Sequence, residues 1–303
     1  MDKTKKRIFI GIGIGIVVLL LLWMIFSPSP VAVETAPVKR GEMLVTVDGE
    51  GKTRFRDKYT VTAPISGKMS RVNITEGNNI PREYVITEID PNPPTPRPPS
   101  ETDFLINPAA VKVYSPASGK VLRIFEKSER ILQAGTPILE IGNPGTVEIM
   151  VDVLSTDAAQ IRTGDSVLIE NENFAEPIKA RVRTVEPQAF TKVSALGVEE
   201  QRVNIIADFL SKDANFGDNF RVDTRIIIWQ AQDVLKIPSS ALFRSGEKWN
   251  VFAVERGRAR QREVSVGHQN AAESQILEGL SEDETVILHP PNQLTEGTSI
   301  SIQ

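Results

Sequence analysis

Apolar and polar residues alternate with a period of two over much of this chain. Ile178, Ala180 and Val182 alternate with Lys179, Arg181 and Arg183. Val203, Ile205, Ala207 and Phe209 alternate with Arg202, Asn204, Ile206 and Asp208. Period two with one polar face predicts half-buried antiparallel strands. Turn signals punctuate them at Gly51, Gly77, Gly135, Gly164, Ser245–Gly246, Gly257 and Gly297. One short helix is predicted over Ser155 to Ile161, with Ser155 as cap, Asp157 in the first turn and Gly164 past the end. No long amphipathic helix follows residue 27. The expected fold class is therefore mainly β, built as small barrels or sandwiches.

The first residues break this pattern. Ile8 to Phe26 is a run of 19 residues without a charge. As a helix it would span roughly 28 Å, close to the hydrocarbon thickness of a bilayer. Trp23 sits near its far end, where interfacial aromatics are favoured. Lys3, Lys5, Lys6 and Arg7 precede it, which predicts a cytoplasmic N-terminus and a body on the other side of the membrane. A cleaved signal peptide is the competing reading. The apolar run is long for one, and Ser27–Pro28–Ser29–Pro30 follows in place of a small-x-small cleavage site. Gly11, Gly13 and Gly15 are two apart rather than four, so they do not form a helix-dimer face.

An internal duplication organises the next hundred residues. Ala63–Pro64–Ile65–Ser66–Gly67–Lys68 returns 52 positions later as Ser115–Pro116–Ala117–Ser118–Gly119–Lys120. The same offset pairs Arg71 with Arg123, Val72 with Ile124, Ile80 with Leu132, Ile86 with Ile138, Glu88 with Glu140 and Ile89 with Ile141. A register that survives from Pro64 to Ile89 without a gap marks a repeat. Each half is too small to bury a core, so the two are expected to pack on each other. The Pro–x–Ser–Gly step predicts a turn with its glycine in a backbone region closed to other residues. The later half has a second turn at Gly135–Thr136–Pro137. Glu83–Tyr84–Val85 stands there in the earlier half, which predicts a different turn.

Between the halves, Asp90 to Ala110 holds seven prolines, six of them at 91, 93, 94, 96, 98 and 99. At about 3 kcal/mol each in a helix interior they exclude a helical hairpin. Asp90–Pro91–Asn92–Pro93–Pro94 should be extended or polyproline-like. Glu101–Thr102–Asp103–Phe104 is similar to the lysine-bearing tip of a lipoyl carrier, but phenylalanine stands where the modified lysine belongs, and no lysine occurs between Asp90 and Val111. Lys58, after Asp57, precedes the first half, and Lys68 lies in the Ser–Gly turn. Neither occupies a carrier position, and no lipoyl or biotinyl cofactor is expected.

Composition narrows the chemistry. The chain has no cysteine, hence no disulfide, thiolate metal site or cysteine nucleophile. Only two histidines occur. His268 follows Gly267 in a predicted turn and His289 precedes Pro290–Pro291, neither with a carboxylate or second histidine at ligand spacing. Glu282–Asp283–Glu284 reads as a solvated turn and lacks a calcium-binding loop. The five methionines do not cluster. Glu199–Glu200, beside Ser194–Ala195–Leu196–Gly197, reads as a polar barrel loop rather than a catalytic pair, and Trp229 and Trp249 read as packing residues. No hydrolase triad, phosphate loop or dinucleotide fingerprint appears. No catalytic, cofactor-binding or metal-ligating residue is assigned, and the chain is expected not to be an enzyme. Beyond the apolar run, 31 Lys and Arg stand against 38 Asp and Glu, a net charge of −7 that argues against a nucleic-acid partner.

The repeat halves, Ala63–Pro64–Ile65–Ser66–Gly67 with Glu76–Gly77 and Ser115–Pro116–Ala117–Ser118–Gly119 with Gly135–Thr136–Pro137–Ile138–Leu139–Glu140–Ile141, resemble the split lipoyl-like domain of the HlyD-like periplasmic adaptors, the membrane fusion proteins of bacterial efflux and export pumps. Val147 to Val153 and Gly164–Asp165–Ser166–Val167–Leu168–Ile169 are similar to the entry of that family's β-barrel domain. Ile237–Pro238–Ser239–Ser240–Ala241–Leu242 is similar to its I-P-x-x-A-L segment. Arg262 to Gly267, Ile276 with Gly279–Leu280, and Thr285–Val286–Ile287 resemble its membrane-proximal domain. The resemblance implies a cytoplasmic tail at 1–7, a transmembrane anchor at 8–26 and a linker at 27–40. It implies a membrane-proximal domain from 41–61 and 234–303, a lipoyl-like (barrel-sandwich hybrid) domain from 62–90 and 111–145, and a β-barrel domain at 146–233. The 91–110 linker stands where the family carries a long helical hairpin. The implied function is coupling an inner-membrane transporter, of ABC, RND or MFS class, to an exit path as a homo-oligomer with its body in the periplasm. An outer-membrane channel is a partner only if docking survives without the hairpin. The alternative is a membrane-tethered interaction or regulatory protein with the adaptor fold and no channel docking.

Overall fold

The computed structural model describes residues 30–91, 109–170, 176–211 and 216–303. The expected membrane anchor and most of the proline-rich linker, including Glu101–Phe104, lie outside these residues. Among the described residues no helix is long and apolar enough to cross a membrane. The fold is mainly β, as the alternation predicts. The one α-helix among the described residues, Ser155–Ala158, is shorter than expected. Its cap position is Leu154, which makes no side-chain capping bond, so Ser155 does not serve as cap.

The chain divides into two units, one from residues up to Val45 and from Trp229–Gln303, the other from Thr46–Ile228. This corrects two expected boundaries. The 27–40 stretch is not a linker where it is described. Val31–Val33 runs parallel to Ile300–Ile302, and Thr35–Pro37 runs antiparallel to Thr285–Ile287. Nor does the whole of 41–61 join the C-terminal strands. From Thr46 it belongs to the larger unit, where residues 50–55 pair with Val147–Leu154. The physical reason is length: Lys39–Phe55 is one strand of 17 residues, long enough to serve both units.

The larger unit holds two cores. The first fills a six-stranded barrel. Ser166–Glu170 pairs with Ile178–Val193, which pairs with Glu199–Phe209, then Val147–Leu154, then the 46–55 part of Lys39–Phe55, then the 221–228 part of Arg221–Pro238. Arg221–Pro238 pairs back to Ser166–Glu170, which closes the barrel and removes free edges. Ile149, Val151, Val167, Ile169, Ile205, Ala207 and Ile226 are fully buried inside it. Gly49 and Gly51 leave room for this core, because a Cβ at Gly49 would stand 2.5 Å from Val151.

The second core belongs to the duplicated segment, and its two sheets repeat each other bond for bond. Gly67 pairs with Leu132 and Gly119 with Ile80. Met69 pairs with Ile89, and Val121 with Ile141. The amide of Gly135 donates to the Ala63 carbonyl at 2.8 Å, and that of Glu83 to the Ser115 carbonyl at 2.9 Å. Ser66 Oγ accepts from the Ala134 amide and Ser118 Oγ from the Arg82 amide, both at 3.0 Å. Each half closes the turn of the other, so neither is complete alone. Met69, Ile89, Ile138, Leu139 and Ile141 are fully buried in the core the two halves share.

Two expectations about this segment need correction. Gly67 and Gly119 do not adopt a positive φ. Glycine is required because the backbones cross closely: a Cβ would stand 2.2 Å from the Asp90 carbonyl oxygen at Gly67 and 2.7 Å from that of Gly142 at Gly119. The turn at Glu83 is not different from that at Gly135 either. Glu83 has φ +64° and Gly135 φ +87°, so both turns use the left-handed region.

The smaller unit joins the C-terminal strands to residues 31–45. Lys248–Glu255, Arg258–Gln269 and Glu273–Glu278 form an antiparallel meander. Val38, Ile237, Ala241, Val251 and Val286 fill one core cluster. Val33, Phe252, Ala259 and Ile287 fill another.

Candidate functional site

The charged residues of the barrel strands point outward, and on one side they assemble into an ionic wall. Arg54 and Arg56 lie on one strand, Glu148 and Asp152 on its neighbour, Asp208 and Arg202 on the next, and Arg183 and Lys192 on the fourth. Glu148 is the centre. Its side chain is only 1% exposed, although it faces away from the core. Arg54 Nε donates to Oε1 at 2.6 Å, and Arg56 Nε donates to Oε2 at 3.1 Å. Arg183 donates to Oε2 as well. Arg56 Nη2 and Arg183 Nη1 also reach Asp208, at 2.7 and 3.3 Å.

Burial by itself pushes the Glu148 carboxyl towards the protonated form. The hydrogen bonds from Arg54, Arg183 and Arg56, with the charge of Arg54, outweigh that and hold it below the usual carboxylate range. The Arg56 guanidinium is held above its ordinary value, first by its bond to Glu148. Glu148 is thus an ionised pin under three guanidinium groups, each of which remains a third to a half exposed. Such a cluster is pre-ordered for contact with anionic groups.

Further along the same strands lies a cleft of about 360 Å³. Asp152 holds Lys192 Nζ at 2.7 Å and also binds Arg202, which donates to Glu200 at 2.9 Å. Above it the Ile178–Val193 and Glu199–Phe209 strands run on into a hairpin. Its turn is well made: the Ser194 amide donates to the Val198 carbonyl at 2.8 Å, the Gly197 amide to the Ser194 carbonyl at 2.9 Å, and the Val198 amide to Ser194 Oγ at 3.2 Å. Gly197 takes φ +78° there. The turn presents Val193, Leu196 and Val198 to solvent, with Leu196 91% exposed.

The residues singled out from the sequence fall as follows. His268 is in the strand Arg258–Gln269 and not in a turn. Its ring stacks on Trp229 with centroids 4.0 Å apart, and its amide donates to Gln275 Oε1 at 3.1 Å. His289 is exposed at φ +44°, far in sequence from any partner set. Asp283 occupies a left-handed turn at φ +66°, and Glu284 accepts both bonds from Arg262 Nη1, at 2.8 and 3.0 Å. Arg244 lies over Trp249 at 4.5 Å. Lys68 pairs with Glu129 at 2.5 Å, and Lys58 with Asp218 at 3.0 Å. Glu200 joins the cleft network, and Glu199 stays exposed. Among the described residues no three of His, Asp or Glu form a group able to hold a metal.

The wall was not legible as a unit. The charges at 54, 56, 181 and 183 share the outward parity of their strands, but their convergence on Glu148 needs the order in which those strands pair. The exposed tip at Leu196 carries no sequence signal beyond an apolar residue beside a turn glycine.

Residues 234–302 match the family model described as the YknX C-terminal permuted SH3-like domain. The chain is 23% identical to the efflux system component YknX of Bacillus subtilis, over 63% of this chain and 52% of that protein. It thus spans about half the length of that relative. It is 21% identical to the multidrug resistance protein MdtA of Proteus mirabilis, over 90% of this chain and 80% of that protein. Among solved structures, MacA from Actinobacillus actinomycetemcomitans shares the fold with a TM-score of 0.63 at 16% identity, covering 84% of this chain and 99% of that one.

Proposed function

We propose that this chain is a periplasmic adaptor of the membrane fusion protein family, working in an efflux or export system. Its relatives are an efflux system component and a multidrug resistance protein, and its fold follows that of MacA. It acts by protein–protein contact and carries out no bond chemistry. The smaller unit is the membrane-proximal domain, the barrel is the β-barrel domain, and the duplicated segment is the lipoyl-like domain. Residues 8–26 anchor the chain in the inner membrane by a single pass, with residues 1–7 in the cytoplasm and the body in the periplasm. Its partner is an inner-membrane transporter, and several copies of the chain assemble around it.

One observation carries this reading. A closed six-stranded barrel, a twofold-repeated sandwich inserted after its first strand, and a C-terminal unit completed by residues 31–45 occur in one chain in that order. The arrangement covers 99% of the MacA chain. It supports a scaffold that works by contact.

A second reading has its own support. Only about 20 residues separate the halves, and seven of them are prolines, so the chain lacks the length for the long hairpin by which such adaptors reach outward. The protein then serves the transporter without docking an outer-membrane channel. In-cell crosslinking of the full chain, with mass spectrometry of what is captured, separates the readings. A transporter with a channel supports the first, and a transporter alone the second. Capture of neither sinks both.

A further inference from the structure

The smaller unit carries two arginines on a tight turn beside the point where the chain enters it. Glu255 pairs with Arg258, so Arg256 and Gly257 form a two-residue loop between Lys248–Glu255 and Arg258–Gln269. Both loop residues have positive φ, +49° at Arg256 and +74° at Gly257. Hairpin turns of this kind favour asparagine, aspartate or glycine at the first position, and an arginine there is strained. Strain of this sort points to a side chain kept for its use.

The surrounding charges set these two arginines apart from their neighbours. The hairpin places arginine at 256, 258, 260 and 262. Arg260 pairs with Glu296 at 2.6 Å, and Arg262 pairs with Glu284 at 2.8 Å and also with Glu255. Arg256 and Arg258 are exposed and make no ion pair among the described residues. Arg258 Nη1 donates to the Gly297 carbonyl at 2.9 Å. Exposed arginines are common on a protein surface. Here the two flank one turn whose neighbouring carboxylates, Glu255 and Glu296, are engaged elsewhere, which leaves a local positive charge.

Position supplies the partner. Val31 is five residues beyond Phe26, the end of the apolar run, and so lies within about 17 Å of it along an extended chain. The Val31 amide donates to the Ser299 carbonyl at 2.9 Å, and Ser299 in turn bridges to Arg258. Val31 also pairs with Ile300, whose amide donates to the Gly257 carbonyl at 3.0 Å. The turn is therefore two strand spacings from Val31, about 10 Å. Residues 27–33 carry no charge. Glu34 and the C-terminal carboxylate of Gln303 follow the other end of the Val31–Val33 pairing, away from the apolar run.

We propose that the Arg256–Gly257–Arg258 turn docks on the phosphate groups of anionic lipids in the bilayer that holds residues 8–26. Guanidinium groups match phosphate oxygens with paired hydrogen bonds. Each cation near an anionic bilayer surface favours the docked state about fivefold, so two favour it about thirtyfold. The anchor keeps the lipid close, so this preference acts within one molecule and does not have to recruit it from solution. The inference rests on the single-pass anchor of the adaptor reading and adds to it a second point of membrane contact.

The test places the full chain in nanodiscs of phosphatidylcholine, with or without about a third of phosphatidylglycerol. The chain has no cysteine, so Ser301→Cys, at an exposed position beside the turn, gives a single site for a nitroxide label. Collision of the label with nickel chelated on lipid headgroups reads its closeness to the bilayer. Collisions are expected to rise several-fold with phosphatidylglycerol. They should return to the phosphatidylcholine level at about 0.5 M salt, where the screening length falls to a few ångströms. Arg256→Asn should remove part of the rise without lowering the melting temperature, because asparagine suits the turn. Adding Arg258→Gln should remove the rest. Equal collisions with and without phosphatidylglycerol, or a rise that survives both substitutions, overturn the inference and leave the anchor standing. A chain that fails to co-purify with the nanodiscs removes the anchor, and the inference with it.

Discussion

Glu83 and Gly135 hold the same place in the two halves of the repeat, and only one of them suits it. Both sit in the left-handed region, and both donate to the first residue of the other half's turn. A side chain there costs roughly 1–2 kcal/mol relative to right-handed backbone, and glycine escapes that cost. Glu83 is exposed, so its side chain has little to lose. Glu83→Gly is expected to stabilise the protein by about 1 kcal/mol after the extra entropy of the unfolded glycine is counted. A thermal melt with no rise would mean that the turn relaxes without strain. Gly67 and Gly119 make the converse case. Their substitution by alanine drives a Cβ into a backbone carbonyl, which cannot swing away as a side chain can. A loss of about 3 kcal/mol is expected at Gly67 and less at Gly119, where the approach is 2.7 Å rather than 2.2 Å. Equal melts for Gly67→Ala and wild type would refute the close crossing. The repeat itself was legible because apolar spacing survives duplication. The left-handed glutamate was not, since nothing in that residue type signals a positive φ.

At the scale of the element, the outward face of the barrel shows how far alternation reads and where it stops. Period two assigns Lys179, Arg181 and Arg183 to one face and Ile178, Ala180 and Val182 to the other, and the burial of Ala180 and Val182 agrees. It cannot say that Glu148 is buried on the polar face, because that burial comes from three arginines on two other strands. Removing Glu148 leaves these cations to repel one another over a site they no longer share. Glu148→Ala is expected to cost about 3 kcal/mol, the low end for breaking a buried pair, because the guanidinium groups can turn back to water. The pH dependence has a definite sign. The folded-state pKa of Glu148 is depressed, so its stabilisation is fully present above the ordinary carboxylate range. It is lost as pH falls through that range towards the lower folded value. Chemical denaturation at neutral and acid pH should therefore show a smaller difference between wild type and Glu148→Ala in acid. A difference that grows in acid would reverse the assignment.

For the whole molecule, the C-terminal strands are completed by residues from near the start, by 31–45 where 41–61 was expected. Residues 234–302 match a family model on their own, which suggests a self-sufficient domain. The structure argues otherwise. Val38 is fully buried in the Ile237–Val251–Val286 cluster, and Val33 is 4% exposed among Phe252, Ala259 and Ile287. The Thr35–Pro37 and Val31–Val33 strands also cover the exposed sides of Thr285–Ile287 and Ile300–Ile302. Losing two buried valines removes about 3–5 kcal/mol of burial, before the unpaired strand edges are counted. That is a large share of the roughly 5–15 kcal/mol that holds a domain folded. Alternation could not reveal this, since strands of three residues are too short to show a period. A chain started at residue 46 keeps every strand of the barrel and the repeat. It should therefore keep slow amide exchange at Ile149, Val151 and Ile205 while losing it at Val251, Phe252 and Ala253 in the C-terminal meander. Protection retained in both would mean the C-terminal strands fold without their N-terminal partners. Protection lost in both would mean that the larger unit, too, depends on residues before Thr46.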